Sequence, residues 1–234
     1  SAQITLQRRM SGGFTLLENY TAGKSIDIAS YGTIENNTTG PDPFNWNRNR
    51  GPSNFDFPQR FVASGVWIMP RLRNQGAAVR TALGGWQSSF IFVAQAGLPL
   101  TIVSGVDNAL SGVGGEFADL TGASWRLNDG RSKGEKIQKW FNPAAFTVNA
   151  LGTPGTGGRG QLRAPGMWNV NCSVVKEFAF REGFKVQLRG EFFNVFNHAN
   201  LGSPNTSVLS GVNFGRITTA GEPRIIQLGL KVAF

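Results

Sequence analysis

The chain closes on Pro223-Arg-Ile-Ile-Gln-Leu-Gly-Leu-Lys-Val-Ala-Phe234. From Ile226 onward every second residue is apolar: Ile226, Leu228, Leu230, Val232 and Phe234, with Gln227, Gly229, Lys231 and Ala233 between them. Successive side chains of an extended chain point to opposite sides, so this spacing predicts a strand with one apolar face and one wet face. The strand stops on an aromatic residue at the end of the chain.

The same rhythm recurs upstream. It is cleanest over residues 184–197, where Phe184, Val186, Leu188, Phe192 and Phe196 alternate with Lys185, Gln187, Arg189 and Glu191. Further strands are predicted over 2–10, 14–24, 61–69, 85–104 and 168–180, which with the last makes seven. Ser11-Gly12-Gly13 and Arg181-Glu182-Gly183 read as tight turns. Gly97-Leu98-Pro99 should bend the fourth strand or mark its exit from the sheet.

The connections alternate in length. Residues 11–13, 70–84 and 181–183 are short or moderate; 26–57, 106–166 and 199–222 are long and rich in Gly, Asn, Pro and Ser. Loops beyond about 15 residues are uncommon in compact domains. At every second connection they are the mark of a transmembrane β-barrel, with short periplasmic turns and long extracellular loops. With the C-terminus on the periplasmic side, seven strands put all three long loops outside. Phe14, Trp67, Trp86, Phe178, Phe180, Phe184 and Phe234 then collect at the periplasmic strand ends, where rings sit at the membrane interface. The expected fold is therefore all-β: an antiparallel transmembrane β-barrel segment in the outer membrane. Glu18 and Lys176 fall in the lipid-facing column. Either they lie near an interface, or a bulge shifts the register, or the reading fails locally.

Composition agrees. Charged residues make up 16% of 234, below the roughly 25% usual for soluble domains, and mean hydropathy is −0.16, a value that alternation produces in a barrel. No apolar run is long enough for a membrane-crossing helix. The N-terminus, Ser1-Ala-Gln-Ile-Thr, has no basic or apolar leader, so the sequence reads as a mature segment or a piece of something longer. Net charge is +9, but Arg8, Arg9, Arg48, Arg50, Arg71, Arg73, Arg163, Lys185 and Arg189 are scattered over the length. Scattered charge argues against nucleic acid, and no nucleic-acid-binding motif accompanies it.

Catalytic and cofactor chemistry is thin. Cys172 and His198 are single residues of their kind, which excludes an internal disulfide and a Cys-based metal site. A Ser-His-Asp triad would have to use His198, which reads instead as structural at a strand end. Gly23-Lys24-Ser25 fails the P-loop pattern because Glu18 stands where its first glycine belongs. The run Gly152-Thr-Pro-Gly-Thr-Gly-Gly-Arg-Gly160 reads as a flexible loop. Asp107, Glu116 and Asp119 share one long loop, and carboxylates bind Ca²⁺, but their spacing fits no calcium-loop pattern, so they read as solvated charge. No enzyme, cofactor or metal is expected.

Several segments resemble a known family: Gly12-Gly13-Phe14-Thr15-Leu16-Leu17, Arg60-Phe61-Val62-Ala63-Ser64, Leu83-Gly84-Gly85-Trp86-Gln87, Gln95-Ala96-Gly97-Leu98-Pro99-Leu100-Thr101, Trp140-Phe141-Asn142-Pro143-Ala144-Ala145-Phe146 and Leu188-Arg189-Gly190-Glu191-Phe192-Phe193-Asn194-Val195-Phe196-Asn197-His198. With the closing strand, they resemble the C-terminal barrel of Oar-like TonB-dependent receptors of the acidobacterial, carboxypeptidase-regulatory-like type. The resemblance spans nearly the whole chain. It implies a barrel of about 22 strands around a plug, active ligand uptake driven by the TonB complex through that plug, and Phe234 as the signal read by the barrel-assembly machinery. Residues 1–234 would be the C-terminal portion of such a barrel, without its plug and regulatory domain. Glu18 and Ala22 stand where the family tends to be apolar or aromatic.

Under this reading the outer-membrane lipid meets the apolar face, while Lys185, Gln187, Arg189 and Glu191 face the interior. Trp46, Arg48, Arg50, Trp125 and Trp140 are the loop residues expected to meet an external ligand of unknown identity. The competing reading is a soluble β-sandwich carbohydrate-binding module, with the aromatic residues as a stacking platform.

Overall fold

A computed structural model describes residues 1–30, 45–70, 72, 74–112, 115–181 and 184–234. Residues 31–44 of the first long loop, Arg71, Arg73, Val113 and Gly114 of the second long loop, and Glu182 and Gly183 of the third short turn lie outside the described residues. Seven strands form one sheet: β1 (Ala2–Ser11), β2 (Phe14–Ala22), β3 (Gln59–Ile68), β4 (Trp86–Gln95), β5 (Met167–Arg181), β6 (Phe184–Phe193) and β7 (Ile225–Ala233). Each pairs antiparallel with its neighbour in sequence, and β1 and β7 are the two edges. Gly12 and Gly13 take φ of +60° and +80°, the left-handed pair that a two-residue hairpin turn requires.

The register separates two faces across the whole sheet. Arg8, Leu16, Gly65, Phe90, Cys172, Phe192 and Ile226 lie side by side on one row. Next to it, on the opposite face, Thr15, Val66, Ser89, Ser173, Glu191 and Gln227 form a second row, in which the Ser89 and Ser173 hydroxyls hydrogen-bond at 2.7 Å. One face is therefore apolar, the other mixed and polar. On the polar face Arg189 pairs with Glu191 at 2.5 Å and Lys185 with Glu177 at 3.7 Å.

The other sheets, among the described residues, are pairs of two-residue strands. None is large enough to cover the seven-stranded sheet, so the β-sandwich reading is not the architecture. Three strands end two or more residues earlier than the alternation suggests. β2 stops at Ala22. β4 stops at Gln95, since Gly97 packs against the carbonyl of Ala164 where no Cβ would fit; the exit expected at Gly97-Leu98-Pro99 is taken. β6 stops at Phe193, because Asn194 (φ +48°) and Asn197 (φ +51°) turn the chain. The connection 70–84 contains a short helix, α1 (Ala77–Leu83).

Lys176 keeps its apolar-face position. It stands opposite Trp86 on one side and Leu188 on the other, and the irregularity in β5 lies beyond it, between Ala179 and Arg181. Of the alternatives left open by the sequence, a register shift is therefore not the one realised. The side chain is 3% exposed. Its ammonium donates to the carbonyl of Gly84, between α1 and β4, and lies 5.4 Å and 5.5 Å from the Trp86 and Phe178 ring centroids. Glu18 also keeps its column, between Leu6 and Ala63, without a register shift.

The aromatic side chains form two belts on the apolar face. At the short-turn end, Phe14 stands opposite Trp67, and Phe184 lies 5.6 Å from Phe180 and 6.3 Å from Phe234. At the loop end, the register aligns Tyr20, Phe61, Ala94 and Trp168, and the ring of Phe61 lies 5.8 Å from that of Phe92. From Phe14 to Tyr20 is six steps, roughly 20 Å along the strand. At a strand tilt of roughly 35–45° this rises about 15 Å, within the apolar band of about 25 Å that a barrel presents to lipid.

Candidate functional site

The buried hydrophobic cluster is not on the sheet but in the long loops. Ile102, Ala118, Phe141, Ala145, Phe146 and Phe214 form it, with Leu120, Trp125, Trp140, Leu162 and Val208 packed around. Phe141 meets Phe214 at 5.1 Å and Phe146 at 5.7 Å, both edge-on, an arrangement favoured by the ring quadrupoles. Loops that would otherwise leave backbone groups unpaired thus acquire a core and become an ordered cap at one end of the sheet.

Backbone bonds tie two of the loops together. Val208 donates to Val103 at 2.9 Å, Trp140 to Gly215 at 2.8 Å and Ile217 to Ile137 at 2.9 Å. A helix within the second loop, α2 (Lys133–Gln138), starts at a capping box in which Ser132 and Glu135 bond reciprocally. Charge pairs join the first loop to the second: Arg159 to Asp27 and Arg163 to Asp56, each at 2.5 Å.

Burial alone would raise both carboxyls, yet both lie below their ordinary value. Hydrogen bonds from Ser53, Ser30 and Arg159, with the charge of Arg159, more than offset it at Asp27. At Asp56 the Ser25 N–H, Arg163 and the nearby Lys24 charge do the same. The segment 152–160 is part of this packing and not a flexible loop. A Cβ on Gly155 would meet the Phe117 carbonyl oxygen at 1.8 Å. Only a glycine lets the two backbones approach so closely.

The geometry so far is an uninterrupted antiparallel meander, apolar on one face between two aromatic belts, with long loops folded into a cap at one end. A family profile described as an outer membrane beta barrel domain matches residues 1–227. The chain belongs to this outer membrane β-barrel family. No curated protein and no solved structure matches the chain.

The barrel lies in the outer membrane with its apolar face toward lipid. Lys176, Trp86 and Phe178 sit on that face near the short-turn end, where the two rings and the Gly84 carbonyl enclose the Lys176 ammonium. Phe234, 96% exposed, extends the same belt. His198 stacks on Trp168, 4.2 Å between centroids, at the loop end of the barrel wall.

The five loop residues singled out from sequence divide into two groups. Trp46 is 48% exposed, in a short 3-10 turn (Trp46–Asn49), and Arg50 is exposed just after it. Arg48 is half-buried and donates to the Gly155 carbonyl. Trp125 and Trp140 are half-buried against the loop core: the Trp125 ring lies 6.4 Å from Phe146, and Trp140 Nε1 donates to the Arg163 carbonyl at 2.7 Å. Arg48, Trp125 and Trp140 thus hold the cap together, whereas Trp46 and Arg50 stand on its surface.

Two acidic loop residues are not solvated as expected. Glu116 is 1% exposed, and Asp119 is spent on the Thr156 N–H at 2.8 Å. The pairs Arg159–Asp27 and Arg163–Asp56 had no signal in the sequence, because their members lie more than a hundred residues apart. The capping box had one, Ser132-Lys-Gly-Glu135, at its usual spacing.

Proposed function

We propose that this chain forms the C-terminal barrel wall and outer loop cap of a TonB-dependent receptor of the Oar-like type. The observation that carries the reading is the pairing of an ordered cap with an open sheet. Both β1 and β7 are edges, and an unpaired strand edge is not viable in hydrocarbon. Further strands would close the wall, as in the barrel of about 22 strands that the family resemblance implies. A cap with its own hydrophobic core suits a receptor that recognises a ligand before transport better than an open diffusion pore.

In this reading the chain has no catalytic role. Lys185, Arg189, Glu191 and Lys231 face the plug, the plug couples to the TonB complex, and Phe234 engages the barrel-assembly machinery. Trp46 and Arg50 are the residues most available to an external ligand.

The test is in-cell photocrosslinking of the full-length protein to the periplasmic domain of TonB, paired with planar-bilayer conductance of the purified protein. The reading expects a crosslink and a closed channel. A steadily open channel with no crosslink would make it a passive porin and overturn the proposal.

A further inference from the structure

Glu116 presents an unusual problem for a loop residue. Its carboxylate is 1% exposed, Oε1 accepts the Ala109 N–H at 2.7 Å and Oε2 accepts Asn149 Nδ2 at 2.7 Å. No Lys or Arg pairs with it among the described residues. A buried carboxylate normally needs a partner charge, since neutral hydrogen bonds alone rarely repay its lost hydration. A second acidic group makes matters worse: the Asp107 carboxyl lies within hydrogen-bonding reach of Glu116. Two carboxylates in contact need either a shared proton or a cation between them.

Asn149 separates those two solutions. It is 1% exposed. Its Nδ2 bonds Glu116 and the Thr153 carbonyl, at 2.7 Å each, while its Oδ1, on the same amide beside Glu116, is buried with no partner. A shared proton leaves that oxygen orphaned. A hard cation would take it as a ligand. The backbone around the acids is already fixed: Asp107 accepts the Ser111 N–H at 2.9 Å and the Gly112 N–H at 2.7 Å, and Asn108 Nδ2 holds the Asn149 carbonyl at 2.6 Å. Asp107 Oδ1 also accepts the Ser111 hydroxyl at 3.3 Å, but Asp107 Oδ2 and both Glu116 oxygens, with one such bond each, keep a lone pair free for a metal.

We infer that Asp107, Glu116 and Asn149 Oδ1 form a Ca²⁺ site in the loop cap. All the donors are oxygen, which selects a hard cation. The irregular mixture of carboxylate and amide suits Ca²⁺, which tolerates variable geometry, better than Mg²⁺, which demands a near-ideal octahedron. Occupancy would clamp Asp107 and Glu116 to Asn149, joining two stretches of the second loop. Asp119 takes no part. The inference concerns the cap alone and does not depend on the transport reading.

Isothermal titration of CaCl₂ into the full-length protein, purified in detergent free of lipopolysaccharide, tests it. The expected result is saturable binding with Kd on the order of 10⁻⁴ to 10⁻³ M, the range of extracellular calcium modules. MgCl₂ should bind more weakly. Asp107→Asn and Glu116→Gln should each remove one equivalent of Ca²⁺, or weaken it tenfold or more. Asp107 is half-buried, so its variant keeps the test open if Glu116→Gln fails to fold. In the wild type, Ca²⁺ should also slow proteolysis within residues 105–116 relative to chelator. Unchanged calcium stoichiometry and affinity in Asp107→Asn, or no saturable binding by the wild type, overturns the site in favour of a shared proton.

Discussion

Lys176 stands directly opposite Trp86 across the β4–β5 pair, with its ammonium 5.4 Å from the centre of the Trp86 ring. The contact explains how a charge survives in a lipid-facing column. The Gly84 carbonyl and the Phe178 ring complete the enclosure, and all of these groups lie at the short-turn end of the wall. A lysine at the bilayer midplane of a barrel costs about 2–4 kcal/mol, whereas near an interface the cost approaches zero.

The position should matter more than the charge. Val174→Lys puts the same group one step deeper on the same face, away from the Gly84 carbonyl. It should destabilise the barrel by about 2–4 kcal/mol. Lys176→Ala, which leaves a buried carbonyl without its donor, should cost about 1–3 kcal/mol. Urea titration of the full chain folded into lipid vesicles gives both values, and equal stability for Val174→Lys and wild type would contradict the assignment.

The cap should respond to the loss of one charge pair. Asp56 is buried, and Arg163 is held by its carboxylate. Asp56→Ala removes the charge partner of a guanidinium that is itself 34% exposed and still donates to the Asp56 and Gly97 carbonyls, which should cost about 1–3 kcal/mol. Proteolysis in the loops 23–58 and 152–166 should accelerate while the strands stay protected. Protection unchanged from wild type would mean that the pair does not hold the cap.

Acid should act on the same contacts. Asp27 and Asp56 have carboxyls depressed in the folded cap. Their contribution is fully present above the unfolded value near 3.9 and is lost as pH falls through the lower folded value. Loop protection should therefore be flat from about pH 8 to pH 5 and decline only below about pH 4. Hydrogen exchange of the loop amides across that range checks the sign; a decline centred near neutrality would point to another group.

Gly155→Ala probes the close approach of the 152–160 segment to the backbone at Phe117. The added methyl has no room unless the segment moves. Fluorescence of the tryptophans, two of which pack on the loop core, should shift toward the exposed form. An unshifted spectrum with unchanged loop protection would mean that the segment is looser than the structure has it.

The strands were legible because alternation is a local signal, repeated on both sides of every turn. Leu228 and Leu230 announce a face without reference to any other part of the chain. The cap was not legible, because its contacts are distant in sequence. Nothing near Asp56 points to Arg163, and nothing in the glycine run 152–160 distinguishes close packing from freedom. Strand ends failed where a single residue intervened: Asn194 takes a left-handed conformation that the pattern of Phe192 and Phe196 hides. The helix α1 lay within a segment read only as a connection, although Ala77-Ala78-Val79-Arg80-Thr81-Ala82-Leu83 is rich in helix formers. Of the loop residues chosen for ligand contact, Trp125 and Trp140 were visible as aromatic but not as structural, since burial is a property of the fold and not of the residue.

The central claim is that the even-numbered side chains of β7 meet lipid and the odd-numbered ones an aqueous interior. Single nitroxide labels at positions 226 to 231 of the full chain in bilayers, with Cys172 replaced by Ser, test it through collision with oxygen and with a water-soluble nickel chelate. Oxygen access should peak at 226, 228 and 230, and nickel access at 227, 229 and 231. Uniform nickel access along the strand, or the opposite phase, would contradict the membrane assignment.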